Sequence, residues 1–167
     1  MKKYITLFLI AGTLIQSSFG MQQDEEKLFD AIESNEVKNL ERVFQDHPNI
    51  NVNAQSLSGY TALHMLSHYL VERTVTDPLP IAELLLKHGA DVNIKNNGNI
   101  TPLWSAVQSR NIPYITLLIA KGANPLIENN LSHKSPLDIA REAATGENAT
   151  QESKEIYELL KHAAKKF

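Results

Sequence analysis

The pentapeptide Gly89-Ala90-Asp91-Val92-Asn93, whose last member stands eight positions before Thr101-Pro102-Leu103, constrains this chain more than any other feature, because the pair recurs on both sides of itself. Upstream, Asn49-Ile50-Asn51-Val52-Asn53 runs into Gly59-Tyr60-Thr61-Ala62-Leu63-His64, with Asn53 again eight positions before Thr61. Downstream, Gly122-Ala123-Asn124-Pro125-Leu126 leads to Ser135-Pro136-Leu137-Asp138. The two Gly-Ala pairs stand 33 residues apart, and Thr101 to Ser135 is 34. A fixed period of this size marks a row of small units, none of which can bury its apolar face without a neighbour.

Each unit carries its own start and stop signals. Thr61, Thr101 and Ser135 are side chains that cap helix N-termini, and Pro102 and Pro136 follow at the first helical position, where a missing N–H costs nothing. The first helices then carry Leu63 and Leu66, Leu103 with Ala106 and Val107, and Leu137 with Ala140, spaced three or four residues apart on one stripe. The second helices repeat that spacing in Ile81, Leu84 and Leu85, in Ile115, Leu118 and Ile119, and in Ile156, Leu159 and Leu160. Gly89 and Gly122 follow the last periodic residues, where a left-handed residue closes a helix; Asn49, as a conformationally tolerant residue, is expected to do the same. Leu63, Leu84, Leu103 and Leu118 are expected to line one interior.

In these letters the chain resembles the ankyrin repeat family, whose pattern reads roughly Gly-x-Thr-Pro-Leu-His-x-Ala, a Leu-rich second helix, then Gly-Ala-Asp-Val-Asn. The resemblance covers about residues 27 to 162. It implies an all-α solenoid of about four stacked helix-turn-helix units with short hairpin-like tips: a degenerate repeat at about 25–53, then repeats at about 57–93, 97–126 and 131–164. The first full repeat holds about seven extra residues near Glu72 to Asp77, and the last holds roughly eight around Thr145 to Ser153, in a stretch rich in Gly, Asn, Ser and Thr. Asn99 stands where the pattern has Gly before Thr, which leaves the tip geometry there open.

At the front, Met1-Lys2-Lys3 is positive, Tyr4 to Ile15 is a 12-residue apolar stretch, and Ser18-Phe19-Gly20 offers the small residues a signal peptidase reads. Residues 1–20 therefore read as a secretory leader, with 21–167 as the repeat domain, periplasmic or secreted. Twelve strongly apolar residues fall short of the roughly 20 that span a bilayer, so a membrane association is expected only if the leader stays uncleaved.

Composition narrows the chemistry. Residues 1–20 hold two of the 16 basic residues and none of the 19 acids, so removing them moves the formal charge from −3 to −5. Such a balance supplies no basic stripe for phosphates, and nucleic acid is not expected as a partner. There is no cysteine, hence no disulfide, thiol nucleophile or thiolate metal site. His64 and His68 lie four apart and could share a metal in a hydrolytic enzyme, but Met65 stands where the acid of such a helix belongs. The resemblance instead implies that His64 is a hydrogen-bonding post between neighbouring tips. Neither a nucleophile turn nor a phosphate-cradling glycine loop is present, and no enzymatic activity, cofactor, metal or small-molecule substrate is expected.

The resemblance further implies a protein-binding module that uses its hairpin tips and the exposed face of its first helices. Position by position, the tips offer Leu57, Ser58 and Tyr60, then Asn97, Gly98 and Ile100, then Leu131, Ser132 and Lys134; the helix face offers His68 and Tyr69, Gln108 and Ser109, and Glu142 and Ala143. Leu57, Tyr60, His68, Tyr69, Asn97, Ile100 and Gln108 are the expected partner-binding residues, Tyr being a residue type that concentrates binding energy. Trp104, at the His position of the pattern, is expected to pack between repeats. The partner is expected to be an envelope or host protein; an accessory role, stabilising or shielding an enzyme of the same compartment, is the alternative.

Overall fold

The computed structural model describes residues 23–71 and 77–167, with side chains of residues 25–67 and 77–167. The expected leader at 1–20 and most of the expected insertion near Glu72 to Asp77 lie outside them. The described residues form eight α-helices and no strand: α1 (Gln23–Glu33), α2 (Val37–Asp46), α3 (Ala62–Val71), α4 (Leu79–Lys87), α5 (Pro102–Ser109), α6 (Ile112–Ala120), α7 (Pro136–Thr145) and α8 (Gln151–Ala164). Consecutive helices pair as antiparallel hairpins, and the hairpins stack. The first helices, α1, α3, α5 and α7, form one row in which each touches the next, and α2, α4, α6 and α8 form a second row behind it.

Local chemistry starts these helices where the letters predict. Thr101 is extended at the N-cap of α5 and accepts the N–H of Trp104 at 3.2 Å. Ser135 and Asp138 form a reciprocal capping box at α7, in which the Ser135 hydroxyl donates to the Asp138 carboxylate at 2.6 Å. That bond, with the nearby Arg141 cation, holds the Asp138 carboxyl below its ordinary value. Asn111 caps α6 through the N–H of Tyr114, and Thr150 caps α8 in a second capping box with Ser153.

One apolar cluster runs the length of the stack, from Leu28 and Ile32 through Leu63, Leu66, Leu85, Leu103, Ile115 and Leu118 to Ile156 and Leu160. Tyr114 is fully buried within it and donates its hydroxyl to the Leu63 carbonyl at 2.7 Å, tying α6 to the first turn of α3 across 51 residues. Burial pushes that phenol well above its usual pKa, so it stays a neutral donor.

The structure corrects the sequence reading in several places. Leu84 is only half-buried, and Leu85, fully buried, fills the interior position on α4. Leu137 likewise flanks the core rather than lining it, leaving Ala140 as the buried contact of α7. Asn49 is not left-handed, although Gly89 and Gly122 are, at φ 90° and 89°. The cause is Pro48: it lacks the N–H needed for the closing turn and pushes the residue before it out of the helical region, and α2 stops at His47 with φ −128°, ψ 71°. The stretch around Thr145 to Ser153 is not all loop. α7 runs two residues longer than α5, the connection is Gly146–Thr150, and Gln151 to Ser153 already form the first turn of α8.

Leu85→Ala is expected to lower unfolding free energy by about 2 to 5 kcal/mol, since the emptied volume lies between repeats that cannot close over it. Denaturant titration checks this, and an unchanged midpoint would contradict the packing of α4. Gly59→Ala is expected to cost more than Gly89→Ala. Both residues have positive φ, but a Cβ at Gly59 would stand 2.6 Å from the backbone nitrogen of Asn97, whereas one at Gly89 meets nothing within 4 Å.

Candidate functional site

Between the hairpins, the connecting segments fold into short tips that hydrogen-bond within themselves and to each other. Within each tip, a backbone N–H reaches across the turn: Ser56 to the Tyr60 carbonyl at 2.9 Å, Asn96 to Ile100 at 3.0 Å, and Asn129 to Lys134 at 3.2 Å. Asn96, nearly buried, accepts the N–H groups of Gly98 and Ile100 on its side-chain oxygen, both at 2.9 Å, and Asn129 does the same for Leu131 and Ser132. The turn residue is left-handed each time: Gly59 at φ 79°, Asn99 at 59° and His133 at 53°. Asn99 therefore fills the glycine role, and the tip geometry is kept.

Adjacent tips are joined laterally. The Asn97 N–H donates to the Ser58 carbonyl at 3.2 Å and its side-chain amide to the Leu57 carbonyl at 2.9 Å; Asn130 N–H donates to the Gly98 carbonyl at 2.9 Å. The Gln55 amide bridges the Gly59 and Lys95 carbonyls, each at 2.9 Å. At the other end of each connection, Asn53 accepts the Asp91 N–H at 2.7 Å and donates to the Gly89 carbonyl at 3.2 Å, and Asn93 repeats both bonds with Asn124 and Gly122. Sequence inspection found Asn53 and Asn93 only as markers of the period; their recurrence 40 residues apart was the available signal for a stitched row.

His64 holds the centre of this arrangement. It is 1% exposed, its Nδ1 accepts the Thr61 N–H at 3.2 Å and lies 2.9 Å from the Thr61 hydroxyl, and its Nε2 lies 2.9 Å from the Ile100 carbonyl. Because Nδ1 must accept, Nε2 carries the proton and donates to Ile100. Both nitrogens are committed to Thr61 and Ile100, which leaves His64 no lone pair for a metal. The side chains of His68 and Tyr69 lie outside the described residues, although both belong to α3. Among the described residues no three His, Asp or Glu side chains are grouped to hold a metal.

Around this core the tips display an apolar ridge. Leu57 is 67% exposed, Tyr60 36% and Leu131 82%, while Ile100 is half-buried between them in sequence order and Asn97 is exposed. Tyr60 meets His64 edge-on, with ring centroids 5.5 Å apart, which fixes the ring from behind. Gln108 is exposed at the far end of α5 from its tip. The structure thus brings Leu57, Tyr60, Asn97 and Ile100 together at the tips and sets Gln108 apart. Trp104 is half-buried rather than a full core residue, and its indole N–H is shut from solvent without a partner. Standing at the position equivalent to His64, it makes no matching bond to the next tip.

Burial lowers the His64 imidazole from 6.5 to about 4, against a smaller raising effect from the Ile100 carbonyl. The unfolded chain therefore binds more protons than the folded one between those two values, and folding stability is expected to fall as pH drops through that window, by at most about 3 kcal/mol. Urea midpoints across the window check this. His64→Gln is expected to flatten the dependence, and an identical slope in the variant would contradict the buried neutral imidazole.

The family model described as ankyrin repeats (3 copies) matches residues 28–129 and again residues 67–165. Ankyrin repeat protein R598 of Acanthamoeba polyphaga mimivirus is 42% identical over 60 residues, covering 36% of this chain and 19% of that protein. Protein FPV024 of Fowlpox virus (strain NVSL), also an ankyrin repeat protein, is 36% identical over 63 residues, covering 37% of this chain and 11% of its own length. The human 2-5A-dependent ribonuclease is 32% identical over 84 residues, covering 50% of this chain and 11% of the enzyme. The chain thus matches less than a fifth of the length of these relatives, and what it shares with them is scaffold. That scaffold is generally a non-catalytic protein-interaction module, and by family match and by its stacked hairpins this chain belongs to the ankyrin repeat family.

Proposed function

We propose that this chain is exported by its leader and grips a partner protein through the tip ridge and the adjoining face of its first helices, performing no chemistry of its own. The observation that carries the reading is the ridge: Leu57, Tyr60 and Leu131 project from tips whose backbones are hydrogen-bonded to each other. Large apolar side chains on a pre-organised support lose little entropy on binding, and such a surface docks with little change of shape. Asn97 and Ile100 widen the contact at the tips, and Gln108, with His68 and Tyr69, extends it along α5 and α3. The partner is a folded protein of the envelope or of a host. The acidic balance and the leader, with its Lys2-Lys3 start and small residues before Met21, support that placement.

Affinity recovery with the tagged full chain from producing cells, followed by identification of what is bound, tests the ridge. Leu57→Asp combined with Tyr60→Asp is expected to abolish recovery while leaving helical circular dichroism unchanged; undiminished recovery moves the binding face elsewhere. For export, N-terminal sequencing of protein from the extracytoplasmic fraction is expected to begin at Met21. A chain that still begins at Met1 in the cytoplasm contradicts it.

A further inference from the structure

Away from the tips, the lengthened last repeat leaves a small cavity of about 110 Å³ where the end of α5 meets α7 and the first turns of α8. Its floor is apolar and buried: Val107, Ala140 and Ile156. Ser153 also lines it, but the Ser153 hydroxyl donates to the Thr150 carbonyl at 2.8 Å and accepts the Thr150 N–H at 3.0 Å, so its polar atom is satisfied within the helix cap. Ile139 and Ala143 form half-buried walls, and Gln108 and Arg110 stand exposed at the rim.

Arg110 has two unusual properties. Its φ is 55°, a left-handed conformation that disfavours a long side chain, at a position where the equivalent residue after α1 is the more tolerant Asn35 at φ 53°. It is also the sole ionisable residue lining the cavity, and among the described residues its guanidinium makes no ion pair or hydrogen bond. A strained residue kept at a site edge points to a task for its side chain.

We infer that this cavity is a second recognition point, taking one aliphatic side chain of a partner protein segment whose neighbouring Asp or Glu pairs with Arg110. The volume fits that occupant. Cofactor and drug-sized sites run to roughly 300 Å³ or more, while an apolar cavity of about 150 Å³ holds benzene, so a single Leu, Ile or Val is the matching size. Arg110 adds the sign of the charge, because its planar fork matches a carboxylate in two-bond geometry. Gln108 at the rim can bond the segment's backbone. This extends the interaction-module reading and rests on it; it shares Gln108 with the helix-face contact but otherwise uses a surface distinct from the tip ridge.

A phage-displayed library of random peptides, selected on the immobilised full chain, tests the inference. Enriched peptides are expected to carry Leu, Ile or Val within one or two positions of an acid. Ala143→Trp, which fills the cavity from its half-exposed wall, is expected to weaken their binding at least about tenfold. Arg110→Gly is expected to weaken binding too while raising the melting temperature, since glycine relieves the positive φ; Arg110→Lys keeps part of the affinity. The double variant at Leu57 and Tyr60 is expected to bind these peptides normally. Absence of enrichment, a motif without an acid, or full binding to Ala143→Trp overturns the proposal. Peptides lost only on the Leu57 and Tyr60 variant also overturn it and leave the ridge reading intact.

Discussion

No hairpin of this chain can bury both of its flanks alone, and everything else in the structure follows from that. Leu63 and Leu66 on α3 are hidden only because α1 and α5 stand on either side, and Leu103 on α5 needs α3 and α7 in the same way. At about 25 cal/mol per Å² of apolar surface, each such side chain contributes on the order of 2 kcal/mol through neighbours rather than through its own unit. The Tyr114 hydroxyl shows the same dependence in polar form, since its acceptor at Leu63 belongs to the preceding repeat. Stability is then a sum of units and nearest-neighbour faces.

The tips inherit their positions from that stack, and the polar bonds between them convert position into rigidity. His64 is held neutral by burial and spends both nitrogens on backbone, one within its own tip and one on the next. Asn97 and Asn130 then link consecutive tips, so exposed residues such as Leu57 and Leu131 stand on a braced backbone despite their exposure. A surface of this kind has already met the entropy cost that a flexible loop would meet on binding. The repeat at about residues 97–126 breaks the pattern. There Trp104 replaces the histidine post, and Asn99 compensates by donating its side-chain amide to the Glu128 carbonyl.

How much of this was legible in the sequence depends on whether the cause was local. Thr101, Ser135, Pro102, Gly89 and Gly122 act within one turn of themselves, and each is found where its letter implies. Asn49 was misread because its neighbour Pro48, rather than its own tolerance, sets the end of α2. Leu84 and Leu85 are adjacent letters of the same class, and only the neighbouring helices α2 and α6 decide which of them faces inward. Of the expected contact residues, Leu57 and Tyr60 were recognisable as apolar letters in polar turns. Arg110 carried no such mark, since neither its left-handed backbone nor the cavity beside it is written in its own segment.

The central claim is that side-by-side burial locks the tips into one continuous ridge, and amide hydrogen exchange at Asn97 and Asn130 tests it most directly. Their N–H groups lie in exposed turns and have acceptors only on the preceding tip, Ser58 and Gly98. The account predicts that both exchange slowly, with protection that falls when Leu85 is truncated to Ala. Exchange at the rate of an unstructured peptide in the intact chain would show that the tips move independently, and would contradict it.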